Sequence, residues 1–170
     1  MMPRIPQRQS GAVLVVGLLL LLVLTLLGVT AMQASTMQER LAGNSRDLNT
    51  AFQAAEAAIR AGERRLRAAS LPGPGSGGWY HHSLAPAPSW RNPTHWNGSY
   101  HTMELQGVDE EWSLASAPRF AIEQLPPVAR PSDALEAGAV VPDEDMYRVT
   151  ARASGGSAGT VVILQTTYRR

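Results

Sequence analysis

From Gly11 to Gln38 the chain carries no ionisable side chain, and within Ala12 to Met32 only Thr25 and Thr30 bear hydroxyls among Val, Leu, Ala, Gly and Met. At about 1.5 Å of rise per residue that stretch, read as a helix, is roughly 30 Å long, the thickness of a bilayer's hydrocarbon core. A cleavable secretion signal has a shorter apolar region, roughly 7 to 15 residues, with a small-residue site at its far end. Here the helical pattern continues through Ala34 and Ser35 instead. Arg4 and Arg8 precede the run and no basic residue follows until Arg40, which predicts the amino end on the cytoplasmic side and everything downstream of the run on the outer side. An apolar surface all round a helix needs lipid or a large protein about it, so a core helix of a soluble protein is the poorer reading.

Beyond Met32 the pattern becomes two-faced without a break. Leu41, Ser45, Leu48, Phe52, Ala55, Ile59, Gly62 and Leu66 recur at alternating steps of four and three, with Arg, Asp and Glu between them. This is a helical seam, expected to pack mainly on the chain's own domain rather than in a coiled coil. Glu56 and Arg60, and Glu63 and Arg67, stand four apart in the favourable order. The helix is expected from about Ala12 to about Ala69, with Gly28 and Gly43 as its points of bending, until the Pro-Gly repeats after Leu71 stop it. Ten of the twelve prolines lie beyond Leu71, so composition itself separates a helical first part from a turn-rich second part.

In that second part, Arg119 to Leu125 and Tyr147 to Ala153 alternate apolar and polar residues, as half-buried strands do. A Ser/Gly turn over 154–159 and a returning strand from Val161 to Tyr168 predict a carboxyl-terminal antiparallel hairpin. A short strand is expected within Tyr100 to Leu105. The loop from Pro126 to Asp145 reads as irregular and exposed. The fold class is α+β: a long amino-terminal helix, transmembrane then amphipathic, packed on a small antiparallel sheet. The divisions are 1–11 as a basic leader, 12–34 as the membrane helix, 35–70 as its amphipathic continuation and 71–170 as a β-rich domain.

Chemistry-bearing motifs are absent. Fifteen Lys and Arg against fourteen Asp and Glu give a net charge of +1, without the basic excess of a nucleic-acid binder. No cysteine is present, so neither a disulfide framework nor a thiolate metal site exists. His81, His82, His95 and His101 lack metal-motif spacing and read as loop residues. Asp109-Glu110-Glu111 and Asp143-Glu144-Asp145 lack the alternating oxygen ligands of a calcium loop and read as solvated charge. No nucleophile motif or phosphate loop occurs, so no enzyme, cofactor or metal is expected. Trp79, Trp90, Trp96 and Trp112 read first as core plugs, and second as a recognition surface.

The basic leader ending in Gly11, the lipid-length helix running into an amphipathic half and the terminal sheet together resemble the type IV pilin plan. More narrowly, GAVLVVGLLLLLVLTLLGVTAMQASTMQERLAGNSRDLNTAFQAAEAAIRAGE is similar to the amino-terminal region of PilX-type minor pilins, and YRVTARASGGSAGTVVILQTTYRR resembles the same family. The resemblance implies cleavage between Gly11 and Ala12 by a prepilin peptidase at the inner membrane, methylation of the new amine, and a periplasmic domain for 71–170. Losing Arg4 and Arg8 takes the formal charge from +1 to −1. It implies assembly with other minor pilins, the major pilin and a large tip adhesin, in a fibre serving adhesion and twitching motility. Helix packing there would use Gly17, Gly28 and Ala31, while Leu41, Leu48, Phe52, Ala55, Ile59 and Leu66 of the seam pack mainly on the chain's own domain. Two departures stand out: Ala12 replaces the usual Phe at the first mature position, and Val16 occupies the place of the glutamate that most pilins carry five residues in. Rival readings of the same plan are a type II secretion pseudopilin and a single-pass envelope protein with a ligand-binding sheet.

Overall fold

The computed structural model describes residues 10–68, 71, 73–75, 77–97, 102–105, 112–129 and 143–170. Arg4, Arg8, His101, the Asp109-Glu110-Glu111 run and Pro131 lie outside the described residues. Two units form, one ending at Asn44 and a head from Ser45 to Arg170.

Helix α1 is assigned from Ser10 to Leu66. No proline interrupts this stretch, and the helix runs through Gly17, Gly28 and Gly43. In the apolar run the two threonine hydroxyls are satisfied within the helix. Thr25 Oγ1 donates to the Leu22 carbonyl at 2.7 Å and Thr30 Oγ1 to that of Leu26 at 2.8 Å, as a hydroxyl in an apolar surrounding must. The last turn tightens: Ala68 N–H donates to the Arg65 carbonyl three residues back at 3.1 Å, using carbonyls that have no partner within the helix. Arg64 and Arg65 sit in that turn, where cations complement the helix dipole. The regular helix therefore ends three residues before Ala69.

The head is a mixed sheet against the second part of α1. Its strands are β1 (Trp79–His81), β2 (Met103–Glu104), β3 (Arg119–Gln124), β6 (Met146–Ser154) and β7 (Val161–Arg169), with β4 (Val128–Ala129) and β5 (Asp143–Glu144) forming a separate short ladder. The order is β1-β3-β6-β7, and β2 shares with β1 one edge of β3. The β6–β7 hairpin pairs Ser154 with Val161 through Met146 with Arg169, as the sequence predicts. Two expectations are corrected. The sheet is not wholly antiparallel, because β1 lies parallel to β3; the long connection over 82–118 brings the chain back in the same direction, which a tight turn could not do. Nor is 126–145 wholly irregular, since Val128 pairs with Glu144 and Ala129 with Asp143.

The helix meets the sheet through small residues. Ala51, Ala54, Ala55, Ala58, Ala61 and Leu66 are buried; Ala58, Ala61 and Leu66 cluster with Trp79, Phe120, Ile122, Tyr147, Val149 and Ala151, and Ala54 and Ala55 with Ala153. The sheet supplies the bulk and the helix supplies close approach: a Cβ added to Gly62 would stand 2.5 Å from Val149 Cγ1 and 3.2 Å from Phe120 Cδ2. This corrects the seam. Ala55, Gly62 and Leu66 are buried and Ile59 half-buried, but Leu41, Leu48 and Phe52 are 62%, 53% and 41% exposed. Phe52 and Ile59 flank the alanine stripe. Leu48 lies beside Asp47, at the level of the β6–β7 turn, where the sheet has ended.

The outer face of the sheet is covered as well. Ala121 and Thr150, which alternate with the helix-facing residues, are 2% exposed. Trp96, on a 3-10 turn at Pro93–Trp96, is 1% exposed, and its Nε1–H donates to the Trp90 carbonyl at 2.8 Å. Trp90 meets Tyr80 edge-on at 5.6 Å and Trp96 at 4.8 Å between ring centroids. Aromatic packing of this kind plugs the second layer.

Candidate assembly surface

Along α1 the exposed residues are mostly apolar. Gly11 and Ala12 lie in its first turn and are exposed, and Val16 is 54% exposed. Gly17 and Gly28 have open space where a Cβ would stand, and Ala31 is exposed. Among the described residues α1 is the one helix long and apolar enough to cross a membrane, and none of its apolar window is buried within the chain. A continuous apolar surface of this extent has no partner among the described residues, and burying it calls for lipid or other subunits. Within the head itself Leu48 and Phe52 are exposed as well.

The residue that fixes the hairpin to the helix is Asp47. Its Oδ1 accepts from Gly156 N–H at 2.6 Å and Ser157 N–H at 3.3 Å. Donation from the Thr160 side chain, then from these two amides, holds the Asp47 carboxyl below its ordinary range despite some loss of solvent. Gly155 is required beside it: an added Cβ would meet the Asp47 carboxylate and stand 2.7 Å from its backbone oxygen. At the far end, Arg170 Nη2–H donates to the Ala68 carbonyl at 3.0 Å. Sequence reasoning places Asp47 merely among the polar residues of the helix, because its partners lie more than a hundred positions away.

The other charged and aromatic candidates serve the head. Glu144 pairs with Arg169 at 2.9 Å and Asp145 Oδ1 accepts from Gln124 at 3.3 Å, so these two members of the acidic run are engaged rather than simply solvated. Glu104 pairs with Arg119, and Glu123 with Arg148 at 3.2 Å. His81 Nδ1 faces the Ser83 and Leu84 amides at 3.2 Å, and His95 Nδ1 faces the Ser89 carbonyl at 2.8 Å. Among the described residues no group of three or more His, Asp or Glu could hold a metal ion. Trp79 and Trp96 are buried, whereas Trp90 and Trp112 are half-buried, Trp112 against the Ala54, Ala55 and Ala153 cluster. Burial of Tyr147, and after it the Asp145 charge, raises that phenol above its ordinary value.

Compared with known proteins, residues 10–60 match the family model described as PilX N-terminal. No curated protein matches the chain, and no solved structure does. The matched residues cover the exposed apolar part of α1 and most of the alanine stripe that meets the sheet. Over residues 10–60 the chain is thus similar to the amino-terminal region of the PilX family, minor pilins of the type IV pilus, and the helix that carries this stretch belongs to an α+β fold.

Proposed function

We propose that this chain is a non-enzymatic minor pilin that primes or caps a type IV pilus at its tip, and so supports adhesion and twitching motility. Its place in pilus biogenesis rests on the PilX N-terminal match. The tip position rests on Val16. In a filament core of low dielectric a carboxylate is tolerated chiefly when paired, and the glutamate that most pilins carry there offers a partner to the terminal amine of a neighbouring subunit. Val16 offers none, so nothing ahead of this subunit needs to be aligned by it.

On this reading the chain begins as a single-pass inner-membrane precursor with its amino end in the cytoplasm and its head in the periplasm. A prepilin peptidase cuts between Gly11 and Ala12, the Ala12 amine is methylated, and the helix joins other minor pilins, the major pilin and a tip adhesin. Mass spectrometry of the mature chain is expected to find a start at Ala12. A start at Met1 or near Ala34 overturns the reading. Gold-labelled antibody is expected to mark fibre ends only, and a Val16→Glu variant to spread along the shaft; even labelling of wild-type fibres rules out the tip assignment.

A further inference from the structure

The last strand of the head has an open edge. Gly155 N–H donates to the Thr160 carbonyl and Arg170 N–H to that of Asp145, which fixes the hydrogen-bonding phase of the β6–β7 ladder. In an antiparallel pair bonded and unbonded positions alternate. With the observed register, Val162, Leu164, Thr166 and Tyr168 exchange bonds with β6. Val161, Ile163, Gln165, Thr167 and Arg169 therefore turn their N–H and C=O groups away from it, and among the described residues no strand pairs with that side. Proteins blunt such an edge with short strands, prolines, bulges or charges. Here β7 is nine residues long, without proline, paired in unbroken register, charged only at Arg169, with Val161 and Ile163 exposed.

A groove accompanies that edge. It has a volume of about 620 Å³ and is lined by Pro88, Ser89, Trp90, Arg91, Ile163 and Gln165. Ile163 and Gln165 are two of the residues whose backbone groups face outward, so a strand added to β7 would direct the side chains beside them into the groove. Gln165 is held by donating from Nε2 to Thr150 Oγ1 at 3.1 Å. Arg91 is exposed and makes no ion pair among the described residues. The groove is thus an aromatic and proline wall with one cation.

We propose that β7 and this groove form a docking site for an extended segment of another polypeptide that pairs as an added strand and places an Asp or Glu side chain against Arg91. The ladder supplies affinity and the groove supplies selection, as in other strand-addition sites. Charge decides against a second copy of this chain: its own β7 brings no carboxylate to Arg91. The proposal does not depend on the tip assignment above.

The test is selection of random short linear peptides displayed on phage against the full chain in detergent micelles, with counter-selection on an Ile163→Pro variant. That substitution removes an outward N–H without touching the β6 ladder, and its thermal melt reports whether the head still folds. Enriched peptides are expected to carry an acidic residue at a fixed place among β-branched neighbours. They are expected to slow amide exchange at Ile163, Gln165 and Thr167, and to lose binding many-fold on Arg91→Glu, an exposed loop substitution. No enrichment, enrichment without an acidic position, or equal binding to Arg91→Glu overturns the proposal. So does slowed exchange at those amides that rises with protein concentration in the absence of peptide, which would make the occupant a second copy.

Discussion

A carboxylate that accepts three hydrogen bonds from one turn makes the turn's geometry depend on its charge. Asp47 is lowered by Thr160 and by the Gly156 and Ser157 amides. Its contribution is therefore complete above the ordinary Asp value of about 3.9 and is lost as pH falls through the lower value of the folded state. Asp47→Ala is expected to lower the melting midpoint of the head at neutral pH. Asp47→Asn, which keeps an acceptor but not the charge, should recover part of that loss and flatten the acid limb of the stability profile; circular dichroism melts across pH check both. Tyr147 acts in the opposite sense, its raised value giving stability that is present below the ordinary phenol range and lost as pH rises through the folded one. Gly62 is the second sensitive position. Alanine there gains about 1 kcal/mol of helix propensity, but overlap with Val149 belongs to overpacking, which costs about 1–3 kcal/mol. With 2.5 Å to a β-branched core side chain, the overlap prevails and denaturant melts of Gly62→Ala should show net destabilisation.

At the scale of elements, periodicity located α1, β3, β6 and β7 because each carries a local pattern, of period near 3.6 or of period 2, that survives folding. It erred where tertiary contact decides. The seam of large residues looks like the buried face, yet the sheet's Phe120, Tyr147 and Val149 fill the space against Ala58, Ala61 and Gly62, and Trp112, Val162 and Leu164 pack on the cluster of Ala54, Ala55 and Ala153, so small residues go inward. Leu48 and Phe52 are left outside. Substituting either by Glu is expected to change head stability by no more than about 0.5 kcal/mol, as at ordinary surface sites. Incorporation into fibres, read by counting labelled pili, should fall. The parallel placement of β1 was illegible for a different reason: direction depends on the path of 82–118, whose Trp, Pro and Gly residues hold no periodic signal. Asp47 and Gly155 were hidden by separation along the chain, since nothing near Asp47 in sequence marks the turn it clasps.

For the whole molecule, the division of labour follows from where apolar surface is left over. The head satisfies itself, covering one face of its sheet with alanines of α1 and the other with the Trp90 and Trp96 layer. The exposed apolar length of α1 is covered by nothing among the described residues, and the PilX N-terminal match falls on it. Fold class and the long apolar helix were thus readable from residue order, whereas the open edge of β7 and its Trp90–Arg91 groove became visible only once strand order was known.

The two clasps on the head's share of α1 have a mechanical consequence. Asp47 grips the hairpin turn at one end and the Ala68 carbonyl is gripped by Arg170 at the other, with the alanine interface between. A tensile load carried along the helix reaches both ends and the interface together, in shear, instead of peeling them in succession. Single-molecule stretching from the helix against the sheet should therefore give one rupture event, and Asp47→Ala should split off a weaker, earlier one.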